Sequence, residues 1–190
     1  MDLPDEIRTF ICMEINDPEI IKNASEVQAA FESEGKDIGK LKFVELHNIH
    51  ITLKFLGNIT METAQTIYGI LQQVNAEIIP EGGFDIELKT VGEFGKRVLW
   101  VGVEDPAGII ENVQARIEDE LFSLGIPREK RPFEGHMTLA RVKFLKDKKL
   151  FGDKVRSVKD TRFGTQHVAE VLLKRSQLTP RGPIYTTLRF

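Results

Sequence analysis

Apolar and polar residues alternate along several short stretches of this chain, as they do in β-strands with one buried face. Residues 50–53 read His-Ile-Thr-Leu, and residues 136–139 read His-Met-Thr-Leu. In each copy the alternation predicts a strand whose His and Thr share one face, while the two apolar side chains share the other. We predict that the two strands meet across a cleft and that the two histidines share one reaction.

The rest of the chain alternates between helical and extended patterns. The predicted elements are, in order, a strand at 7–15, a helix at 18–33, strands at 41–44 and around the first His-Thr pair, a helix from Thr60 to about 78, strands at 84–91 and 98–103, a helix from 106 to about 124, a strand at 135–143, a basic helix or loop at 146–159, and strands at 168–175 and 184–190. This order predicts an α+β, bilobal fold. Two similar antiparallel-sheet lobes carry helices on their outer faces and enclose a central cleft.

Composition narrows the class of protein. With 190 residues, 41% of them hydrophobic, the chain can bury a substantial core, and we expect residues 1–190 to form a single domain of two pseudo-symmetric lobes. A single cysteine, Cys12, excludes an intrachain disulfide and a Cys-rich zinc site. The N-terminus does not have the pattern of a signal peptide, and no apolar run approaches a membrane span. We therefore expect a cytoplasmic protein with no membrane partner.

Charge is unevenly distributed, although the net charge is only −3. Residues 141–162 contain nine Lys or Arg and three Asp. Such a segment can steer a polyanion to one surface, or it can simply be a solvated, lysine-covered helix or loop.

The paired histidines suit phosphodiester cleavage. One imidazole can act as a base towards the nucleophile, and the other can protonate the departing oxygen, because the unperturbed histidine pKa is about 6.5. Thr52 and Thr138, on the same faces as His50 and His136, can donate hydrogen bonds to the non-bridging phosphate oxygens.

An anionic transition state also requires positive charge. Strict alternation places Lys54 on the face of His50 and Thr52, so Lys54 is a candidate substrate-binding residue. The same alternation turns Arg141 away from His136 and Thr138. A bulge, or the strand end, is needed to bring Arg141 to the phosphate.

Other chemistries are less well supported by the sequence. No acidic partner accompanies either motif in a metal-binding array, so no metal site is predicted. Cys12 lies between apolar neighbours, as an inert core thiol does. The remaining histidines, His47 and His167, have no comparable context and are interpreted as surface or structural residues. There is no phosphate-binding loop of P-loop or Rossmann type.

At these motifs the chain resembles the 2H phosphoesterase superfamily. The strings at 51–57 (Ile-Thr-Leu-Lys-Phe-Leu-Gly) and 138–141 (Thr-Leu-Ala-Arg) are similar to its RNA 2′,3′-cyclic phosphodiesterase branch, also called the 2′-5′ RNA ligase family. The strings at 8–11 (Arg-Thr-Phe-Ile) and 178–185 (Leu-Thr-Pro-Arg-Gly-Pro-Ile-Tyr) add to this resemblance. One departure is Gly135, where the family often has proline before the second histidine.

The resemblance implies hydrolysis of an RNA or nucleotide 2′,3′-cyclic phosphate end to a 2′-phosphomonoester, without a metal or organic cofactor. In the family scheme His50 protonates the departing 3′ oxygen and His136 activates water, while Thr52 and Thr138 orient the phosphate. Arg141 matches a family position.

Three further residues are candidates for the rim of the site. Phe10 either stacks on the terminal base or is a core residue, and Tyr185 and Arg181 are weaker candidates for the same rim. Two alternative functions stay open, namely a 2′-5′ RNA ligase that joins RNA (tRNA) halves and an RNA-end binding module without turnover. We expect a monomer.

Overall fold

The computed structural model describes residues 6–180 and 182–190, so Arg181 lies outside the described residues. Fourteen elements follow one another in the chain: β1 (Glu6–Glu14), α1 (Pro18–Ser33), α2 (Gly35–Ile38), β2 (Gly39–Phe43), β3 (His50–Thr60), α3 (Met61–Ile78), β4 (Phe84–Phe94), β5 (Val98–Glu104), α4 (Ile109–Ser123), β6 (His136–Leu145), α5 (Lys148–Ser157), β7 (Arg162–Val168), β8 (Leu172–Thr179) and β9 (Gly182–Thr187). A 3₁₀ turn, Leu46–Asn48, precedes β3.

Local capping explains where the helices begin. The Asp17 carboxylate accepts hydrogen bonds from the backbone N–H groups of Glu19 and Ile20 at the start of α1, and the Thr60 hydroxyl accepts one from Thr63 in α3. Asp147 caps α5 in the same way, so the predicted helix or loop at 146–159 is a helix. Such caps satisfy backbone donors that have no partner inside the helix.

The sequence pattern missed strand β7. A single strand is predicted at 168–175, whereas the structure ends β7 at Val168 and starts β8 at Leu172. Gln166 is polar but occupies a buried position of β7, so the apolar–polar alternation of this strand is not visible in the sequence. Its side-chain oxygen accepts hydrogen bonds from the backbone N–H groups of Asn16 and Asp17.

The strands form one antiparallel sheet in the order β7-β4-β5-β6-β3-β1-β8-β9, with β2 paired to β6. The two motif strands β3 and β6 are neighbours, and a single residue pair, Ile51 and Met137, joins them. Beyond this pair the strands diverge, and β2 takes the place beside the outer half of β6. The sheet therefore consists of two lobes joined at their motif strands, which confirms the predicted bilobal α+β fold.

Helices from one half of the sequence pack on strands from the other half. Helix α1 packs on β7 and β6, and α5 packs on β4, whereas α3 and α4 pack together beside β3 and β8. Each lobe thus contains elements from both halves of the sequence. Within the described residues, no helix combines the length and apolar character needed to cross a membrane.

Both motif strands contain a β-bulge at the same place. Across β1 and β3 the pairing skips Leu53, and across β5 and β6 it skips Leu139. The next residue in each strand, Lys54 or Ala140, is therefore buried, and the one after it is exposed. A bulge shifts the alternation by one position and so changes the face of every following side chain.

The bulge makes the prediction for Lys54 wrong. Lys54 leaves the face of His50 and Thr52 and becomes 3% exposed in the interior. Its ammonium nitrogen lies 2.8 Å from a carboxylate oxygen of Glu118 on α4 and 2.8 Å from the carbonyl oxygen of Pro127. Glu118 also accepts a hydrogen bond from the backbone N–H of Glu129. The pair attaches α4 and the segment before β6 to the back of β3.

We expect Lys54→Met to lower the free energy of unfolding by about 3–5 kcal/mol, because it leaves the Glu118 carboxylate buried without its cation. The double variant Lys54→Met/Glu118→Gln removes both charges and is expected to recover a large part of that loss. Urea unfolding at constant m-value measures both changes.

The matched control is Lys149→Met, which breaks an exposed ion pair between Lys149 and Asp153 and is expected to cost less than about 1 kcal/mol. Equal effects of Lys54→Met and Lys149→Met would contradict the role of the buried pair.

Candidate active site

Four motif side chains share one face of the joined sheet. Ile51 and Met137 oppose each other and are fully buried in the core. By alternation their polar neighbours lie on the opposite face, where His50 and Thr52 on β3 approach His136 and Thr138 on β6. The antiparallel register sets His50 towards Thr138 and Thr52 towards His136.

Both histidines are held by the same backbone contact. The Nδ1 atom of His50 lies 2.7 Å from the carbonyl oxygen of Asn48, and Nδ1 of His136 lies 2.7 Å from the carbonyl oxygen of Glu134. Since a carbonyl only accepts, Nδ1 carries a proton and donates it. This leaves Nε2 of each ring as the nitrogen that can accept a proton when the ring is neutral and donate one when it is charged.

Two aromatic rings surround His50. The Phe10 ring centroid lies 4.9 Å from that of His50, and the Tyr185 centroid lies 5.4 Å from it in an edge-on arrangement. Phe10 is only 3% exposed, so its ring is a buried part of the wall. Tyr185 is half-buried and contacts Phe10 as well. Together the two rings fix the orientation of the imidazole.

A different aromatic pair surrounds His136. Phe94 on β4 meets the His136 ring edge-on at 5.1 Å between centroids, and Trp100 packs against Phe94 at 5.0 Å. Trp100 also lies opposite Thr138 across the strand pair. Gly92 allows this arrangement, since a Cβ atom there would lie 2.3 Å from the Trp100 ring. Neither Phe94 nor Trp100 carries a signal in the sequence that marks it as part of the site.

The threonine hydroxyls are available to a ligand. Within residues 6–180 and 182–190, neither Thr52 nor Thr138 has a hydrogen-bond partner for its side chain, and both are partly exposed. The β6 bulge also brings Arg141 to the exposed face, where it lines a groove together with Phe10 and Tyr185. The bulge is the condition under which Arg141 reaches the site.

A second charged pair lies beside His50. Glu14 is the cross-strand partner of His50, and its carboxylate accepts a hydrogen bond from the ammonium group of Lys174 on β8. Lys174 is only 9% exposed. Both side chains and Tyr185 line a small cavity of about 110 Å³ beside the His50 ring. No sequence pattern links Glu14 to Lys174, because 160 positions separate them.

Other reactive groups do not form an alternative centre. Burial raises the pKa of the Cys12 thiol to about 12, so it is not a thiolate nucleophile at neutral pH. Over the described part of the chain, no three His, Cys, Asp or Glu side chains converge as a metal site. His167 pairs with Asp85 on the surface, and that hydrogen bond raises the pKa of His167. His47 is exposed at the edge of the small cavity beside His50.

Comparison with known proteins covers nearly the whole chain. The family described as "AKAP7 2′5′ RNA ligase-like domain" matches residues 9–189. An RNA 2′,3′-cyclic phosphodiesterase of Methanocaldococcus jannaschii is 35% identical over 187 residues, which cover 96% of this chain and 99% of the relative. A protein of the same description from Aeropyrum pernix is 37% identical over 152 residues, or 78% of this chain and 84% of the relative.

Solved structures share the fold. A crystal structure of a protein from Thermus thermophilus superposes with a TM-score of 0.74 at 26% identity, with 96% of each chain covered. LigT of Escherichia coli in its apo form superposes with a TM-score of 0.73 at 22% identity, covering 98% of this chain and 96% of LigT. The predicted resemblance to this family is confirmed, and the chain belongs to the 2′-5′ RNA ligase-like family of 2H phosphoesterases.

Proposed function

We propose that this protein hydrolyses RNA 2′,3′-cyclic phosphate ends to 2′-phosphomonoesters by paired histidine acid–base catalysis, without a metal ion. One observation carries the proposal, namely the placement of two equally held histidines on one face of adjoining antiparallel strands. Each has its Nε2 atom left for chemistry and a free threonine hydroxyl two positions on. The relatives from Methanocaldococcus jannaschii and Aeropyrum pernix are RNA 2′,3′-cyclic phosphodiesterases, which supports the same substrate class.

The proposed reaction is a single in-line displacement at phosphorus. A water oxygen attacks phosphorus and gives its proton to Nε2 of His136. The bond from phosphorus to the 3′ oxygen breaks, and Nε2 of His50 protonates that oxygen. The product is a 2′-phosphomonoester beside a free 3′-hydroxyl, and proton exchange with solvent restores both rings. The family scheme supports this assignment of acid and base.

The acid role requires His50 to be protonated when the substrate is bound. In the unliganded protein burial is the main factor that lowers the pKa of His50, and the nearby cations Lys174 and Arg141 lower it further. Its hydrogen bond to the Asn48 carbonyl and the Glu14 carboxylate act in the opposite direction. A cyclic phosphate brings one negative charge against the ring, which favours the imidazolium form. Substrate binding is thus proposed to supply the proton on His50.

The remaining polar groups have supporting roles in this proposal. Thr52 and Thr138 donate hydrogen bonds to the non-bridging oxygens, and Arg141 supplies the positive charge for which Lys54 was also a candidate. Because each half of the chain contributes one histidine, one copy completes the site. We therefore propose that residues 1–190 act as one domain and as a monomer. We also propose that the protein acts on RNA ends in the cytoplasm.

The direct test uses EDTA-treated protein and an oligoribonucleotide that ends in a 2′,3′-cyclic phosphate, with the product identified by phosphorus NMR. A 2′-phosphomonoester supports the proposal. No product at all indicates a binding module, and a 3′-phosphate reverses the leaving group. A second reaction that contains an RNA with a 5′-hydroxyl end measures ligation against hydrolysis.

We expect His50→Ala and His136→Ala each to lower kcat on the cyclic phosphate by about 10²-fold or more. Because the two residues act in one step, the double variant is expected to be little slower than either single variant. Steady-state kinetics gives the rates, and circular dichroism checks that each variant is folded. Additive losses in the double variant would show that the histidines act independently.

A substrate with a thiol leaving group distinguishes the histidine that acts as the acid from the one that acts as the base. When sulfur replaces the bridging 3′ oxygen, the departing thiolate needs no protonation. We expect His50→Ala to regain on the order of 10²-fold in rate on this substrate relative to its own rate on the oxygen compound, and His136→Ala to gain little. Recovery of His136→Ala instead would exchange the two roles.

Removing either of the two charges beside His50 is expected to shift the pKa of His50, in opposite directions for the two variants. Lys174→Met removes a cation that lowers the pKa of His50 and leaves the Glu14 carboxylate unpaired, so we expect that pKa to rise. Glu14→Gln removes the carboxylate and leaves the cation, so we expect it to fall. An NMR titration of the imidazole protons measures both shifts, and shifts of the same sign would contradict this electrostatic account.

A further inference from the structure

A groove extends away from the catalytic face, beyond the residues that the reaction uses. It has a volume of about 480 Å³ and begins at Phe10 and Tyr185, beside the His50 ring. From there it passes between β1 on one side and the strands β2 and β6 on the other, towards the turn before β9. The space is therefore continuous with the site but is not required for water attack on one phosphate.

Four cations line this groove, and they come from three different strands. They are Arg8 on β1, Lys42 on β2, and Arg141 and Lys143 on β6. Lys42 lies directly opposite Arg141 in the strand pair. Among residues 6–180 and 182–190, Glu45 is the only carboxylate in the lining, and none of the four cations forms an ion pair. A surface of this charge is complementary to a polyanion.

The rest of the basic segment at 141–162 is organised differently. On helix α5, Lys149 and Arg156 pair with Asp153, and Lys154 pairs with Glu34. Arg162 on β7 lies near Glu87. Lys146, Lys148 and Lys159 also lack an ion pair among the described residues, but they lie outside the groove. Within the groove, Arg8 and Lys42 join Arg141 and Lys143 from distant parts of the sequence.

Two exposed apolar side chains line the same groove. Phe55, which the β3 bulge turns outward, is 56% exposed, and Leu178 on β8 is 68% exposed. Both line the groove. A groove lined both by cations and by exposed apolar or aromatic side chains suits single-stranded nucleic acid, because the phosphates contact the cations and the unstacked bases cover the apolar surfaces.

The number of cations indicates how much of the strand is bound. A nucleoside cyclic phosphate carries one negative charge, for which Arg141 alone is sufficient. Arg8, Lys42 and Lys143 then have no charge to meet unless further phosphates follow. We propose that this groove binds the nucleotides that precede the cyclic phosphate in a single-stranded RNA, so that the enzyme acts preferentially on oligonucleotide ends. The inference rests on the proposed function for the identity of the terminal group.

The first measurement is binding, which does not depend on turnover. Fluorescence anisotropy compares a single-stranded hexaribonucleotide that ends in a 2′-phosphate with the same hexamer in a duplex and with the corresponding mononucleotide in competition. We expect the single strand to bind at least about tenfold more tightly than the mononucleotide or the duplex. The affinity should fall with salt, with a slope of roughly 0.7 in log–log form for each phosphate contacted.

The variants Lys42→Gln and Lys143→Gln test the residues. In the double variant we expect the salt slope for the single strand to decrease by about 1.4, because two phosphate contacts are lost. The ratio of kcat/KM on the cyclic-phosphate hexamer to kcat/KM on the cyclic mononucleotide should fall at the same time. Lys148→Gln is the matched control, since Lys148 is an exposed cation of the basic segment outside the groove, and it should change neither quantity.

Each outcome decides one of the two proposals. Hydrolysis of the hexamer and the mononucleotide at equal kcat/KM, with equal affinities, overturns the groove proposal and leaves the proposed function intact. Absence of hydrolysis with tight, salt-dependent binding of the single strand overturns the proposed function and supports the groove. A salt slope unchanged in Lys42→Gln/Lys143→Gln, or equally tight binding of a glutamate-rich hexapeptide, also overturns the groove proposal.

Discussion

The bulge that follows each His-x-Thr-Leu sequence is the constraint on which the rest of this structure depends. It ends the simple alternation at Leu53 and Leu139 and moves the residues that directly follow, Lys54 and Phe55 on β3 and Ala140 and Arg141 on β6, to the opposite faces. An extra residue also leaves backbone groups without their ladder partner. In one lobe the Gln28 side chain donates hydrogen bonds to the carbonyl oxygens of Leu139 and Val44. In the other lobe the Glu118 carboxylate accepts a hydrogen bond from the Lys54 ammonium group. The two helix residues thus occupy comparable places, each fixing a bulged strand to the chain beside it.

Much of this arrangement was predictable from the sequence. The His-Thr pairs carry a period-2 pattern that is independent of tertiary structure, and α1 occupies Pro18–Ser33 as predicted because Asp17 and Pro18 define its start locally. Lys54 was predicted on the wrong face because nothing in the string Leu-Lys-Phe signals a bulge. A lysine reads as polar, and its buried partner Glu118 lies 64 positions away.

The same reason explains why the sequence did not identify the surroundings of the histidines. The Glu14–Lys174 pair and the contact of Phe94 with His136 exist only after the strands have been placed in order. Strand β7 was missed for a related reason. Gln166 is polar, and its burial depends on hydrogen bonds with Asn16 and Asp17, which lie far away in the sequence. Local patterns predict which residues face together, whereas charge neutralisation and ring contacts are decided by residues far apart in the chain.

The surroundings of the two histidines differ in the places that would set the direction of the proposed reaction. A symmetric pair of histidines would bind a cyclic phosphate equally well in either orientation, and neither ring would be the defined acid. The structure distinguishes them, because Glu14 lies opposite His50 whereas Gly102 lies opposite His136. At the exposed position after each bulge, one strand presents the apolar Phe55 and the other presents the cationic Arg141. In the proposed reaction, a phosphate attached to a nucleoside would therefore meet unlike partners on its two sides, and this asymmetry would assign different roles to two histidines whose backbone contacts are the same.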